Sequence, residues 1–113
     1  MSKFKEDDLQ MAVTRYLDHT SLIWFHPANE RRTSIQAGAR LKRKGVKPGV
    51  PDVMILTPNS VFNGLAIELK IKPNKPTPKQ KEWLKSLLKC GWRCEVVYSL
   101  DEFLLIIKDY EKT

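Results

Sequence analysis

The sequence has few cysteines and no long apolar run. Only Cys90 and Cys94 occur among the 113 residues, too few for a disulfide framework and not at the Cys-x-x-Cys spacing of zinc and redox sites. The longest apolar run, Phe103–Ile107, is far shorter than the roughly 18 residues that a membrane-spanning helix needs. The amino-terminal residues are polar and charged, so no export signal is visible. We therefore expect a soluble, cytoplasmic protein.

The two cysteines admit two interpretations. One is half of a zinc site, completed by His19 and His26. The other, which the pattern favours, is structural: Cys90 closes a helix, and Cys94 alternates along the following strand as a small buried residue.

The composition predicts one small globular domain over residues 1–113. A hydrophobic fraction of 42% is too high for a disordered chain, and the length leaves no room for two independent domains.

Positive charge is concentrated in two segments. Residues 29–50 contain seven Lys or Arg and one Glu, residues 71–89 contain six Lys and one Glu, and the rest of the chain is slightly acidic. Clustered positive charge suits the repeated phosphates of a nucleic acid, although a solubilising face would have the same composition. The candidate nucleic-acid-binding residues are Arg31, Arg32, Arg40, Lys42, Arg43, Lys44, Lys47, Lys72, Lys75 and Lys79.

Apolar spacing and turn residues predict a mixed order of helices and strands. Capping-box spacing at Thr77–Gln80 and Ser99–Glu102 predicts two helix starts, and Gly45–Pro51 is a turn rich in glycine and proline. The order αβαββαβα predicts an α/β fold, a small sheet with helices on its faces. The predicted helices cover about 3–18, 34–44 and 78–89 and the residues after Ser99; the predicted strands cover 23–26, 53–56, 65–71 and 93–98.

Three charged residues fall within one predicted β-hairpin. With a turn centred near residues 60 and 61, Asp52 lies opposite Leu69 or Lys70, close to Glu68. Strand alternation places Glu68 and Lys70 on the same face. Charged groups are costly to bury unless they are paired, and a divalent metal beside a phosphate would be a suitable partner for Asp52 and Glu68. Phosphodiester hydrolysis is the reaction that these groups suit.

An alternative interpretation needs no site. In an edge-strand hairpin, Glu68 and Lys70 would face solvent as an ordinary ion pair worth less than about 1 kcal/mol.

The motifs resemble those of a known nuclease family. Pro51-Asp52 followed by Glu68-Leu69-Lys70 resembles the PD-(D/E)xK nuclease signature, and the closer likeness is to the virus-type replication-repair nuclease (VRR-NUC) domain. Gly45–Val53 is similar to the central motif of that family, Glu6 with Gln10 to its first-helix motif, and Thr77–Trp83 with Gly91 to its helix after E-x-K.

The resemblance implies a restriction-endonuclease-like α/β core with a metal site. It implies that Glu6, Asp52, Glu68 and the backbone carbonyl of Leu69 bind Mg²⁺ or Mn²⁺, that Lys70 is the catalytic lysine, and that Gln80 assists. Two of these residues also suit a purely structural role. Glu6, with Asp7 and Asp8, can be an acidic group in a first helical turn, and Gln80 can simply complete a capping box.

The resemblance also implies a metal-dependent DNA endonuclease, selective for flaps, four-way junctions or other branched DNA, in replication, repair or recombination. Stand-alone members of this size resemble phage proteins that dimerise, so we expect a homodimer in a bacterial or phage-infected cell. One alternative is a basic nucleic-acid-binding module without catalysis; another is a small accessory protein with a solubilising face. Five aromatic residues can stack on unpaired bases, but packing in the core or at a dimer contact is the interpretation that the pattern favours: Trp24, Phe25, Trp83, Trp92 and Tyr98.

Overall fold

The computed structural model describes residues 2–27 and 34–113, with side chains from residue 5. Arg31 and Arg32 lie outside the described residues. The elements follow the predicted order: α1 Ser2–Asp18, β1 Trp24–Phe25, α2 Ile35–Arg43, β2 Val53–Ile55, β3 Leu65–Leu69, α3 Pro78–Lys89, β4 Arg93–Val97 and α4 Leu100–Lys112.

The strands form one mixed sheet in the order β1-β2-β3-β4. β1 and β2 are antiparallel, β2 and β3 are antiparallel, and β3 and β4 are parallel. β3 is therefore an interior strand, and all five of its residues are buried. An edge-strand hairpin with an exposed Glu68 and Lys70 is ruled out by this placement.

Local hydrogen bonds explain where three of the helices begin. The Ser34 side chain accepts the N–H of Ala37 at the start of α2, and the Ser99 side chain accepts that of Glu102 at the start of α4. Thr77 and Gln80 form the predicted capping box at α3. Such contacts satisfy N–H groups that the first helical turn leaves unpaired.

The core lies between the sheet and the pair α1 and α4. Alternation along β3 directs Leu65, Ile67 and Leu69 into this core, where they belong to one buried cluster with side chains of both helices. The other core residues are Leu9, Val13, Leu17, Val53, Ile55, Val97, Phe103, Ile107 and Tyr110. Within the described ranges, no helix is long and apolar enough to cross a membrane.

The hairpin register differs from the predicted one by one or two residues. The turn is centred as predicted, because the Asn59 N–H donates to the Phe62 carbonyl. Asn63, however, donates its backbone N–H to Gly91 and its side-chain amide to Cys90 instead of continuing the hairpin. The strands then pair Val53 with Ile67, which places Asp52 opposite Glu68 rather than opposite Leu69 or Lys70.

Both cysteines occupy structural positions, as the pattern favoured, but Cys94 is half-buried rather than buried. Cys90 caps the end of α3 and is exposed, and the Cys94 thiol donates to the Leu84 carbonyl at 3.4 Å. Burial raises the pKa of Cys94 to about 11, which disfavours the thiolate that zinc requires. Among the residues described, no three His, Cys, Asp or Glu side chains are grouped to hold a metal ion, so the zinc half-site does not form.

Candidate active site

Asp52 is held at the start of β2 by a contact across the hairpin. Its Oδ2 accepts the backbone N–H of Leu69 at 2.8 Å. Pro51, which precedes it, is buried and fixes the backbone direction at the end of the Gly45–Pro51 loop. The carboxylate therefore has one fixed oxygen, on the strand beside Glu68.

Glu68 is the one charged side chain that is buried within the described ranges, with 1% of its surface exposed. Its Oε2 accepts the Gln80 Nε2–H at 2.6 Å and lies 3.8 Å from the Lys70 Nζ. Its Oε1 is buried without a hydrogen-bond partner among the described residues. A buried carboxylate oxygen without a partner is costly, so Oε1 needs either a proton or a cation.

The pKa values of Asp52 and Glu68 also indicate that these two carboxyl groups need a proton or a cation. Burial and the nearby Asp52 carboxylate raise the pKa of Glu68 to about 8, and Lys70 opposes the rise. Burial also raises the pKa of Asp52, against the hydrogen bond from Leu69. The pair therefore retains a proton near neutral pH unless another positive charge replaces it.

Gln80 forms the capping box and also contacts Glu68, while its assistance in catalysis stays a prediction. Its Oε1 accepts the Thr77 N–H at 2.8 Å, which completes the capping box, and its Nε2 donates to Glu68. One side chain thus connects the start of α3 to the buried carboxylate.

The first helix contributes to a small cavity beside Asp52. The cavity measures about 90 Å³ and is lined by Glu6, Asp7, Gln10, His26 and Asp52. α1 begins at Ser2 and its first turn contains no acidic residue, so Glu6 is not explained as a first-turn acid. Its negative charge instead contributes to the raised pKa of Glu68. The structure thus brings Glu6 to the same cavity as Asp52, although the two form no three-carboxylate cluster with Glu68 within the described part of the chain.

His26 is a residue of this cavity that the sequence analysis did not place at the site. Its Nδ1 lies 2.6 Å from the backbone carbonyl of Asp52; since a carbonyl only accepts, Nδ1 carries the proton. No local spacing in the sequence indicated this position, because it depends on the antiparallel pairing of β1 with β2, which matches Phe25 to Met54 and continues toward His26 and Val53.

The two basic segments meet beside the site. Gly49, at φ +83°, lies so close to α3 that an added Cβ would be 2.8 Å from the Lys79 carbonyl carbon. The Trp83 Nε1 also donates to the Pro48 carbonyl at 3.1 Å. Lys72 lies over the Tyr98 ring, 5.9 Å from its centroid. The eight described candidates are all exposed: Arg40, Lys42, Arg43, Lys44, Lys47, Lys72, Lys75 and Lys79.

The mixed sheet with flanking helices, with Asp52 just before β2 and Glu68 on β3, is compatible with a restriction-endonuclease-like fold. The model of the VRR-NUC domain family matches residues 4–101. A solved structure described as a VRR_NUC domain protein is 30% identical, with a TM-score of 0.78, and the alignment covers 95% of this chain and 88% of that chain. No curated protein matches the sequence. The chain belongs to the VRR-NUC family and therefore contains a nuclease-type domain.

Proposed function

We propose that the protein is a metal-dependent DNA endonuclease that hydrolyses phosphodiester bonds in branched DNA. The observation that carries this proposal is Glu68: a buried carboxylate, opposite Asp52, with one oxygen that has no partner among the described residues. A purely DNA-binding surface would gain nothing from negative charge at this position, because it repels phosphate.

The donor set fits Mg²⁺ or Mn²⁺. Asp52, Glu68 and the Leu69 carbonyl would hold the ion, with Glu6 as a further carboxylate from α1; all are oxygen donors, which these ions prefer. When bound, such an ion neutralises phosphate charge and lowers the pKa of water toward hydroxide.

The protein's own residues have separable tasks in this mechanism. Gln80 fixes the orientation of the Glu68 carboxylate through the 2.6 Å hydrogen bond. Lys70 directly follows β3, and its Nζ lies 3.8 Å from the Glu68 Oε2, where the ammonium can orient the attacking water and offset charge that develops on the phosphorus oxygens. The exposed lysines and arginines bind the flanking phosphates and set affinity rather than chemistry.

Cleavage of labelled duplex, flap and four-way-junction DNA with Mg²⁺, Mn²⁺ or EDTA tests the proposal. We expect cutting only with metal, and its loss in Asp52→Ala, Glu68→Gln and Lys70→Ala with DNA binding largely kept. Glu111→Gln is a matched control, because Glu111 is exposed near the end of α4. Undiminished cleavage by Glu68→Gln would contradict the mechanism. Binding of every substrate without cleavage would favour the non-catalytic binding module.

We also propose that the active form is a homodimer, because 113 residues offer limited surface to hold a duplex. Two exposed apolar side chains at edge strand β1 supply contact surface: Ile23, just before the strand, is 64% exposed, and Phe25, in the strand, is 46% exposed. Light scattering on the purified protein should give twice the mass of 13.1 kDa. A mass of one chain at micromolar concentration would contradict the dimer.

A further inference from the structure

A second cavity lies between the Gly45–Pro51 loop and α3. It measures about 300 Å³ and is lined by Lys47, Glu82, Trp83 and Ser86. This volume is at the lower end of the range for pockets that hold small organic groups. The indole of Trp83 is attached to the loop by its hydrogen bond to Pro48, so the aromatic ring is fixed at the cavity wall.

Both walls of the cavity belong to segments that also contain residues of the candidate active site. The loop that contains Lys47 continues directly into Asp52. On α3, Trp83 lies three residues after Gln80, so the two side chains share one side of the helix. The loop and α3 are also in direct contact through Gly49 and Trp83, so the segments that form the cavity are held together with those that position Asp52 and Gln80.

We propose that this cavity receives one unpaired base of the DNA substrate, stacked on Trp83, with a neighbouring phosphate at Lys47. The inference rests on the proposed nuclease function and adds a specificity-determining residue to it. Aromatic side chains stack on any exposed base, whereas both faces of a base within a duplex are already covered by its neighbours. The cavity would thus distinguish DNA that contains unpaired nucleotides from continuous duplex.

The charges at the cavity favour a base over a phosphate. The carboxylate of Glu82 repels phosphate but accepts hydrogen bonds from the exocyclic amino groups of bases. Ser86 supplies a hydroxyl that can donate or accept. Lys47 supplies the positive charge that the backbone beside the base requires.

Binding measured in EDTA tests the assignment without any cleavage. Fluorescence anisotropy compares three labelled DNAs: a continuous duplex, a duplex with a single-stranded flap, and the same flap with abasic positions. For Trp83→Leu we expect about 10-fold weaker flap binding, the equivalent of about 1.4 kcal/mol, with duplex binding unchanged. The abasic flap should bind the wild type and this variant equally, because it has no base to stack.

Trp83→Phe separates stacking from the contact with Pro48. Phenylalanine keeps an aromatic face but lacks the indole N–H, so we expect flap binding within about 3-fold of the wild type. Equal losses in the two variants would overturn the proposal in favour of a loop-anchoring role. Equal weakening of flap and duplex, or an abasic flap that remains sensitive to Trp83→Leu, would also overturn it.

Two further variants keep the test decisive if Trp83→Leu does not fold. Ser86→Leu fills the cavity from an exposed helix position and should likewise weaken only flap binding; unchanged flap binding would overturn the proposal. Lys47→Gln should weaken flap binding more than Lys85→Gln, the matched exposed lysine on α3, and equal effects would contradict a phosphate at Lys47. If Trp83→Leu weakens only flap binding but the protein does not cut DNA with metal, the proposed nuclease function is contradicted and the base-binding cavity is not. If the protein cuts DNA but Trp83→Leu does not selectively weaken flap binding, the base-binding cavity alone is contradicted.

Discussion

Replacing Glu68 with glutamine should make the metal-free protein more stable at neutral and alkaline pH. Glutamine reproduces the shape of the protonated acid, keeps an oxygen that accepts the Gln80 amide hydrogen bond, and adds donors that can face Asp52. The substitution removes the negative charge that burial disfavours.

The sign and size follow from the pKa of Glu68, which burial raises from 4.5 to about 8. Between these values the folded chain binds a proton that the unfolded chain does not. The stabilising contribution is therefore full below about pH 4.5 and is lost as the pH rises to about 8. The complete difference corresponds to at most about 5 kcal/mol, and because water and local relaxation reduce the cost of the buried charge, we expect roughly 2 kcal/mol.

Thermal unfolding in EDTA at pH 5.5, 7 and 8.5 measures this effect. Relative to the wild type, Glu68→Gln should gain stability with rising pH and unfold about 8 °C higher at pH 8.5, at roughly 4 °C per kcal/mol. Glu111→Gln, at an exposed glutamate, should follow the wild type at every pH. If Glu68→Gln is no more stable than the wild type at pH 8.5, the buried-charge argument is refuted.

Two further predictions concern the loop and the thiols. Gly49→Ala should lower the free energy of unfolding by about 2 kcal/mol or more, because position 49 combines a left-handed backbone with a close approach to Lys79. Gly45 has a similar φ but open space around it, so Gly45→Ala should lower the free energy of unfolding by less in the same thermal assay. Equal losses of stability in the two variants would contradict the close contact at Gly49. In single-cysteine variants at pH 8, exposed Cys90 should react with a thiol reagent about 10-fold faster or more than half-buried Cys94, because burial raises the pKa of Cys94 to about 11 and lowers its thiolate fraction. Similar rates would contradict the raised pKa of Cys94.

The sequence predicted those parts of the fold that local interactions determine. Three helix starts follow from side chains that cap their own first turn, and the Thr77–Gln80 and Ser99–Glu102 spacings identified two of them directly. The element order and the α/β class are confirmed by the sheet. The pairing register was wrong by one or two residues because it depends on Asn63, whose partners are more than 25 residues away in sequence.

The candidate site likewise has residues whose proximity could be predicted from local sequence and others whose proximity could not. Asp52, Glu68 and Lys70 lie within one hairpin, so their proximity could be inferred from strand alternation and the turn. Glu6 and His26 reach the cavity only because α1 and β1 pack beside β2, and no local spacing encodes that packing. The roles of these residues in catalysis stay predictions for the cleavage assay.

The capping box at α3 also settles which way the Gln80 amide faces. Because the Thr77 N–H requires an acceptor, the side-chain oxygen is committed to the helix start, and only the nitrogen remains for Glu68. The amide therefore cannot rotate to offer its oxygen to a cation, and a glutamate at the same position would set two acceptors against each other. The hydrogen bonds that begin α3 thus require a side chain at position 80 that accepts from Thr77 and donates to Glu68. An anionic side chain does not meet this requirement, so the start of the helix keeps a third carboxylate away from Asp52 and Glu68.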